Sequence, residues 1–135
     1  MPPFVLVPVP WDVLLRQLLL APCAEEILFR LGLQDWLHAS RIGALRRHAV
    51  AWTAVAFGLA HAFVIAAAAL TGITGSTPLP VLLLLALATA VPAWWIGRGY
   101  RRHRSLPRCI AWHAAFNACW LWFAAPALLP LLSSP

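Results

Sequence analysis

The chain has 135 residues, of which 62% are hydrophobic and only 10% charged, with eight tryptophans and a mean hydropathy of +0.80. Soluble domains carry about 25% charged residues, so this composition excludes an ordinary soluble protein and points to an integral membrane protein. At roughly 20 residues per crossing, residues 1–135 hold a single domain of about four spans, with no room for a separate soluble domain.

The formal charge is +6 and the sequence pI 11.1, values that in a soluble protein would suggest nucleic acid. The positions of the ten arginines argue otherwise. Arg41, Arg46 and Arg47 form one short stretch, and Arg98, Arg101, Arg102, Arg104 and Arg108 form another, each between apolar segments. That is the pattern of cytosolic loops, so the expected partner is the lipid bilayer and no nucleic acid. Such loops would also attract anionic head groups.

The chain opens with the proline-rich VLVPVP, which cannot be helix interior. LLLAPC loosely resembles a lipidation site, but the segment before it lacks the basic residues of a signal peptide, and no cleavage is expected. Backbone groups in lipid must bond within their own segment, so each apolar stretch is read as a helix. The first runs from about Trp11 to His38 and carries Asp12, Arg16, Glu25, Glu26, Arg30 and Asp35. The second runs from about residue 46 to 70. The third, from about 79 to 96, holds no ionisable residue and reads as a lipid-facing scaffold. The fourth runs from about 106 to 124, with an apolar tail to Leu132. The expected fold is an all-α polytopic bundle.

TGITGSTP, between helices two and three, is uncharged, so both basic stretches fall on one side, with both termini outside and the basic loops cytosolic. Trp94, Trp95 and Tyr100, and Trp11 and Trp36, suit interfacial belts. Cys23, Cys109 and Cys119 form no CxxC pair and read as packing residues. The basic complement is arginine without lysine, an association with GC-rich bacterial coding, and the expected location is the bacterial inner membrane.

Few polar residues interrupt the spans, and each is expensive, at roughly +2.5 to +3.5 kcal/mol for a central charge, so they mark a functional interior. Glu26 and Arg30 lie at i and i+4 and can pair within one helix, whereas Glu25 is rotated about 100° from Glu26 and is left free for other work. Pro22 can bend the helix just before them. His113 and Asn117 share one face of helix four. Phe57 and His61 share one of helix two, with Gly58 permitting close helix approach. If these faces meet, Glu25, His61, His113 and Asn117 enclose a small polar cavity. There a desolvated carboxylate can take a proton from water, a histidine can orient that water, and imidazole and amide can stabilise an oxyanion.

Glu-Glu-x-x-x-Arg (Glu25, Glu26, Arg30), Phe-x-x-x-His (Phe57, His61) and His-x-x-x-Asn (His113, Asn117), in this order on separate helices, resemble the CPBP family of intramembrane proteases, which includes the CAAX prenyl endopeptidases and the Abi proteins. The resemblance covers residues 22 to 120. It implies an endopeptidase acting on membrane-associated or C-terminally anchored proteins, with Glu25 and His61 activating water, His113 and Asn117 holding the oxyanion, and Glu26, Arg30 and Phe57 in support. Family members have been described both as metalloproteases and as metal-free glutamate proteases. A Glu/His/His set suits Zn²⁺, but asparagine is an unusual zinc ligand, and the expectation is a site without a cofactor, Zn²⁺ being the alternative. Members commonly have further helices before the first motif. Here it begins 24 residues from Met1, which fits a short bacterial-type member or a chain that starts further upstream.

Two other functions compete with hydrolysis: a bis-histidine haem bundle with His61 and His113 as axial ligands, and a non-catalytic membrane immunity or chaperone partner. His113 follows Arg108 by five residues and His61 follows Arg47 by fourteen, about 7.5 and 21 Å by helical rise. Level histidines therefore require helix two to reach beyond the bilayer or to tilt, and the first is expected.

Overall fold

The computed structural model describes residues 9–71 and 78–126, all helix and short connections, with no strand among them. The first eight residues, with most of the proline-rich opening, residues 72–77 of the uncharged loop, and the apolar tail from residue 127 lie outside the described residues.

Helix α1 covers residues 11–39 without a break but changes its hydrogen bonding along the way. Trp11–Leu15, Ala21–Glu26 and Asp35–Ala39 are α-bonded, while Arg16–Leu20 and Ile27–Gln34 are π-bonded. Pro22, which has no N–H, stands at the second such switch, where π bonding returns to α and the i→i−4 ladder is already interrupted. The alternation has a geometric consequence. An α-helix turns every 3.6 residues, and π segments need more, so the average over this stretch is roughly four per turn. Residues four apart then stack in line, and Pro22, Glu26, Arg30 and Gln34 are all buried along one face.

A short helix, α2 (Gly43–Arg47), precedes α3 (Ala49–Leu70), with His48 at the break (φ −108°, ψ 22°). Helix two of the sequence reading thus begins at Ala49, and its arginines belong to a separate element. The buried residues Ala49, Val50, Thr53, Ala54, Phe57 and Gly58 form one stripe at helical spacing. His61 extends it by a turn.

Helix α4 (Leu79–His103) continues seven residues beyond the expected end at Ile96. Hydropathy falls there, but Ala93, Ile96, Gly97 and Tyr100 keep one side buried while the arginines take the other. Tyr100 is therefore not an interfacial belt residue: it is buried and donates to Asp35 (3.0 Å), whereas Trp11, Trp36, Trp94 and Trp95 are exposed. Helix α5 spans residues 106–124, α-bonded over Leu106–Cys119 and π-bonded over Trp120–Ala124.

The helices pack in a ring: α1 against α3, α3 against α4, α4 against α5, and α5 against the first half of α1. Helices α3 and α4 are long and apolar enough to cross a membrane. Gly58 meets α4 at Leu87 and Ala90, so closely that an added Cβ would lie 3.0 Å from the Leu87 carbonyl oxygen. At the basic end, Arg104 forms a two-pronged pair with Asp35 (2.5 and 2.9 Å) from a left-handed backbone position, φ 51°. This contact ties the α4–α5 turn to the end of α1 and fixes the level of the site. Glu25 stands ten residues back from Asp35, and His113 nine residues on from Arg104.

Candidate active site

The buried face of α1 carries a continuous polar ladder. Gln34 donates to the Gly97 carbonyl on α4 (3.0 Å) and accepts from Arg30 (3.2 Å). Arg30 in turn grips Glu26 through Nε (2.6 Å) and Nη2 (3.4 Å). Glu26, Arg30 and Gln34 are wholly buried, an arrangement tolerable because each of their side-chain nitrogens and oxygens finds a partner. Gly97 makes the crossing possible: a Cβ there would lie 2.9 Å from Gln34 Oε1 and 3.1 Å from Arg30 Nη1.

The ladder ends on α5. His113 Nδ1 lies 2.9 Å from Glu26 Oε1. A carboxylate oxygen can only accept, so Nδ1 carries the proton and Nε2 of the neutral ring is a lone pair. On α3, His61 Nδ1 lies 3.0 Å from the Phe57 carbonyl, which sets the same tautomer by the same argument. Phe57 holds both rings, its own centroid 4.5 Å from that of His61 and 5.6 Å from that of His113. Phe29 on α1 packs edge-on behind it at 4.9 Å.

Both Nε2 atoms face Glu25. Its Oε2 lies 3.8 Å from His61 Nε2 and 3.6 Å from His113 Nε2, is itself buried, and has no hydrogen-bond partner. One carboxylate oxygen and two imidazole lone pairs therefore converge with no donor between them. Such a trio repels itself unless a proton, a water or a cation enters. Tetrahedral zinc ligands at about 2.0–2.1 Å from the metal would stand about 3.3 Å apart, closer than these atoms. Among the described residues no group of three or more His, Cys, Asp or Glu side chains is placed to hold a metal ion.

Asn117, one turn beyond His113, donates through Nδ2 to the Gln17 carbonyl (2.8 Å). Gln17 lies in the π-bonded stretch five residues before Pro22, which has no N–H to offer it, and the asparagine supplies a donor there. One N–H of the amide is committed in this way and the second is left. A cavity of about 920 Å³ between α3, α4 and α5 is lined by His61, His113, Asn117 and Glu26, with Phe57 and a wall of apolar side chains from α4 and α5. Glu25 does not line it.

Of the residues singled out in the sequence, Glu25, His61 and His113 converge from three helices, with Glu26, Arg30 and Phe57 beside them, while Asn117 lines the neighbouring cavity, which Glu25 does not line. The reading missed that Glu26 serves His113 as well as Arg30, and it missed Gln34 altogether. The i, i+4 series Glu26, Arg30, Gln34 was the available signal. It also missed Gly97, which no spacing marks.

No curated protein and no solved structure matches the chain. The sequence model of the family described as type II CAAX prenyl endopeptidase Rce1-like matches residues 8–119, a stretch that includes the whole of this site. By that match over most of its length, the chain belongs to the Rce1-like type II CAAX prenyl endopeptidases, a family of intramembrane proteases.

Proposed function

We propose that the protein hydrolyses peptide bonds of membrane-associated or C-terminally anchored protein substrates, using Glu25 as the general base. The observation that carries this reading is the unpartnered, buried Glu25 Oε2 within 4 Å of two imidazole lone pairs. A water among these three groups donates its two protons to two of them, Glu25 Oε2 and His61 Nε2, which both holds it and raises its nucleophilicity. The substrate carbonyl approaches from the apolar cavity. Glu25 takes one water proton as the oxygen attacks, and the tetrahedral oxyanion accepts from the second N–H of Asn117 and from the Nε2–H of His113, which has taken a proton from solvent before the attack and returns it after product release. Glu26 stabilises the imidazolium through Nδ1, as a carboxylate partner does in hydrolytic triads. The proton on Glu25 then passes to the departing amine, and the acid is regenerated as carboxylate.

A haem held between His61 and His113 would need the space that Glu25 Oε2 occupies, less than 4 Å from both ring nitrogens. That favours hydrolysis over the bis-histidine bundle. The test is cleavage of internally quenched peptides, with and without a prenylated cysteine, by purified protein in bilayers. Glu25→Gln is expected to abolish turnover, and His61→Ala and Asn117→Ala to lower it by about 10²-fold or more. Equal turnover by Glu25→Gln sinks the assignment. Chelation is expected to leave the rate unchanged, and a loss reversed by zinc would replace water activation by Glu25 alone with metal-assisted hydrolysis.

A further inference from the structure

A second cavity, of about 850 Å³, opens at the basic end on the outer side of the α4–α5 contact. It is lined by Arg98, Arg101, Arg102 and Arg108 and by Trp95 and Trp112. The whole chain has four acidic residues, and each is engaged elsewhere: Asp12 with Arg16, Glu26 with Arg30, Asp35 with Arg104, and Glu25 facing the histidines. No Asp or Glu side chain lines the pocket, so nothing in its lining offsets the field of its four exposed guanidinium groups, and an anion from outside is attracted there.

The aromatic side of the pocket says what kind of molecule brings that anion. Trp95 meets Trp112 edge-on at 4.8 Å and Phe116, one turn further along α5, at 6.0 Å. The three rings form a partly exposed apolar wall that leads away from the arginines along the bundle. Arg98 is held over the Trp94 ring at 4.8 Å, a cation–π contact that fixes one guanidinium at the boundary between charge and apolar surface. Guanidinium forks match phosphate oxygens, and the aromatic wall matches hydrocarbon.

We propose that this groove binds one anionic phospholipid, its phosphate held by Arg98, Arg101, Arg102 and Arg108 and its acyl chain laid along Trp95, Trp112 and Phe116. The arginine pocket is distinct from the hydrolytic cavity, which Phe116 also lines, and its occupancy does not depend on the chemistry there. The full-length protein in phosphatidylcholine vesicles, titrated with brominated phosphatidylglycerol or brominated phosphatidylcholine, reports occupancy by quenching of tryptophan fluorescence. The expected result is a preference for phosphatidylglycerol that falls at least about fivefold in Arg98→Gln/Arg101→Gln. Arg46→Gln/Arg47→Gln removes the same charge from the other basic stretch and is expected to keep the preference. Equal losses in the two variants would mean diffuse attraction and overturn the proposal, as would equal quenching by the two lipids. Inorganic phosphate, compared with chloride at matched ionic strength, is expected not to displace the lipid; displacement would make the pocket a site for the free anion. Should the first variant fail to insert, Arg98→Lys/Arg101→Lys keeps the charge, and its expected partial loss tests the same fork geometry.

Discussion

Glu25 and Glu26 are adjacent in the chain and opposite in environment. Glu26 is wholly buried and saturated by Arg30 and His113, while Glu25 presents a buried oxygen with no partner. Their neutral amide variants should therefore diverge. Glu25→Gln places an N–H among two imidazole lone pairs, relieving the convergence of acceptors, and is expected to hold or raise thermal stability, by up to about 1 kcal/mol, while removing activity. Glu26→Gln strands the buried Arg30 charge and is expected to destabilise by about 3–5 kcal/mol. Thermal unfolding in detergent, measured beside peptide cleavage, checks both. A loss of stability in Glu25→Gln comparable with that in Glu26→Gln would mean that the first carboxylate is structural. The division of labour between the two acids was legible in the sequence, because a 100° rotation per residue forbids a common direction. That both acids meet the same imidazole, one at each ring nitrogen, was not legible. The register between α1 and α5 rests on contacts between residues far apart in the chain, Asp35 with Arg104 and Gln17 with Asn117, which no local spacing encodes.

Two glycines decide how closely the helices approach. At Gly58 a Cβ would meet the backbone of α4, and at Gly97 it would press on Gln34, Arg30 and Val50, whereas Gly99 faces open space. Gly58→Ala and Gly97→Ala are each expected to cost about 1–3 kcal/mol, and Gly97→Ala to lower turnover as well, since it pushes on the ladder that ends at His113. Gly99→Ala is expected to be neutral or to stabilise by up to about 1 kcal/mol through helix propensity. Unfolding midpoints of the three variants separate the effects, and destabilisation by Gly99→Ala equal to that of Gly97→Ala would refute the packing account. The existence of four long helices and the close approach at Gly58 could be read from sequence, since apolar runs and small residues report directly on lipid exposure and contact. The continuation of α4 through Gly97 and Tyr100 could not, because hydropathy averages over all faces while one buried stripe holds the helix together. The π-bonded segments escaped for a related reason: they are stabilised by bringing residues 22, 26, 30 and 34 into line, a benefit realised only once α4 and α5 are in place.

Across the whole molecule, charge is sorted by end. The Asp35–Arg104 pair joins the end of α1, next to the Arg41, Arg46 and Arg47 stretch, to the turn between α4 and α5 that follows Arg98, Arg101 and Arg102. Eight of the ten arginines therefore share one pole of the bundle, while the described part of the opposite connection, around Thr71 and Pro78, carries no charge. Translocating a pole with so many guanidinium groups is opposed by the membrane potential and by the anionic inner leaflet, so the arginine pole is expected to stay in the cytosol. Single-cysteine variants at exposed positions test this in a background where the three native cysteines are serine. Arg46→Cys and Arg101→Cys are expected to resist a membrane-impermeant maleimide in intact cells and to react after permeabilisation, while Thr71→Cys reacts from outside. Labelling of Arg46→Cys and Arg101→Cys on opposite sides would contradict the Asp35–Arg104 contact itself. Labelling of both from outside would instead keep the bundle and invert its orientation, placing the lipid groove at the outer leaflet, where the anionic lipids it fits are scarcer.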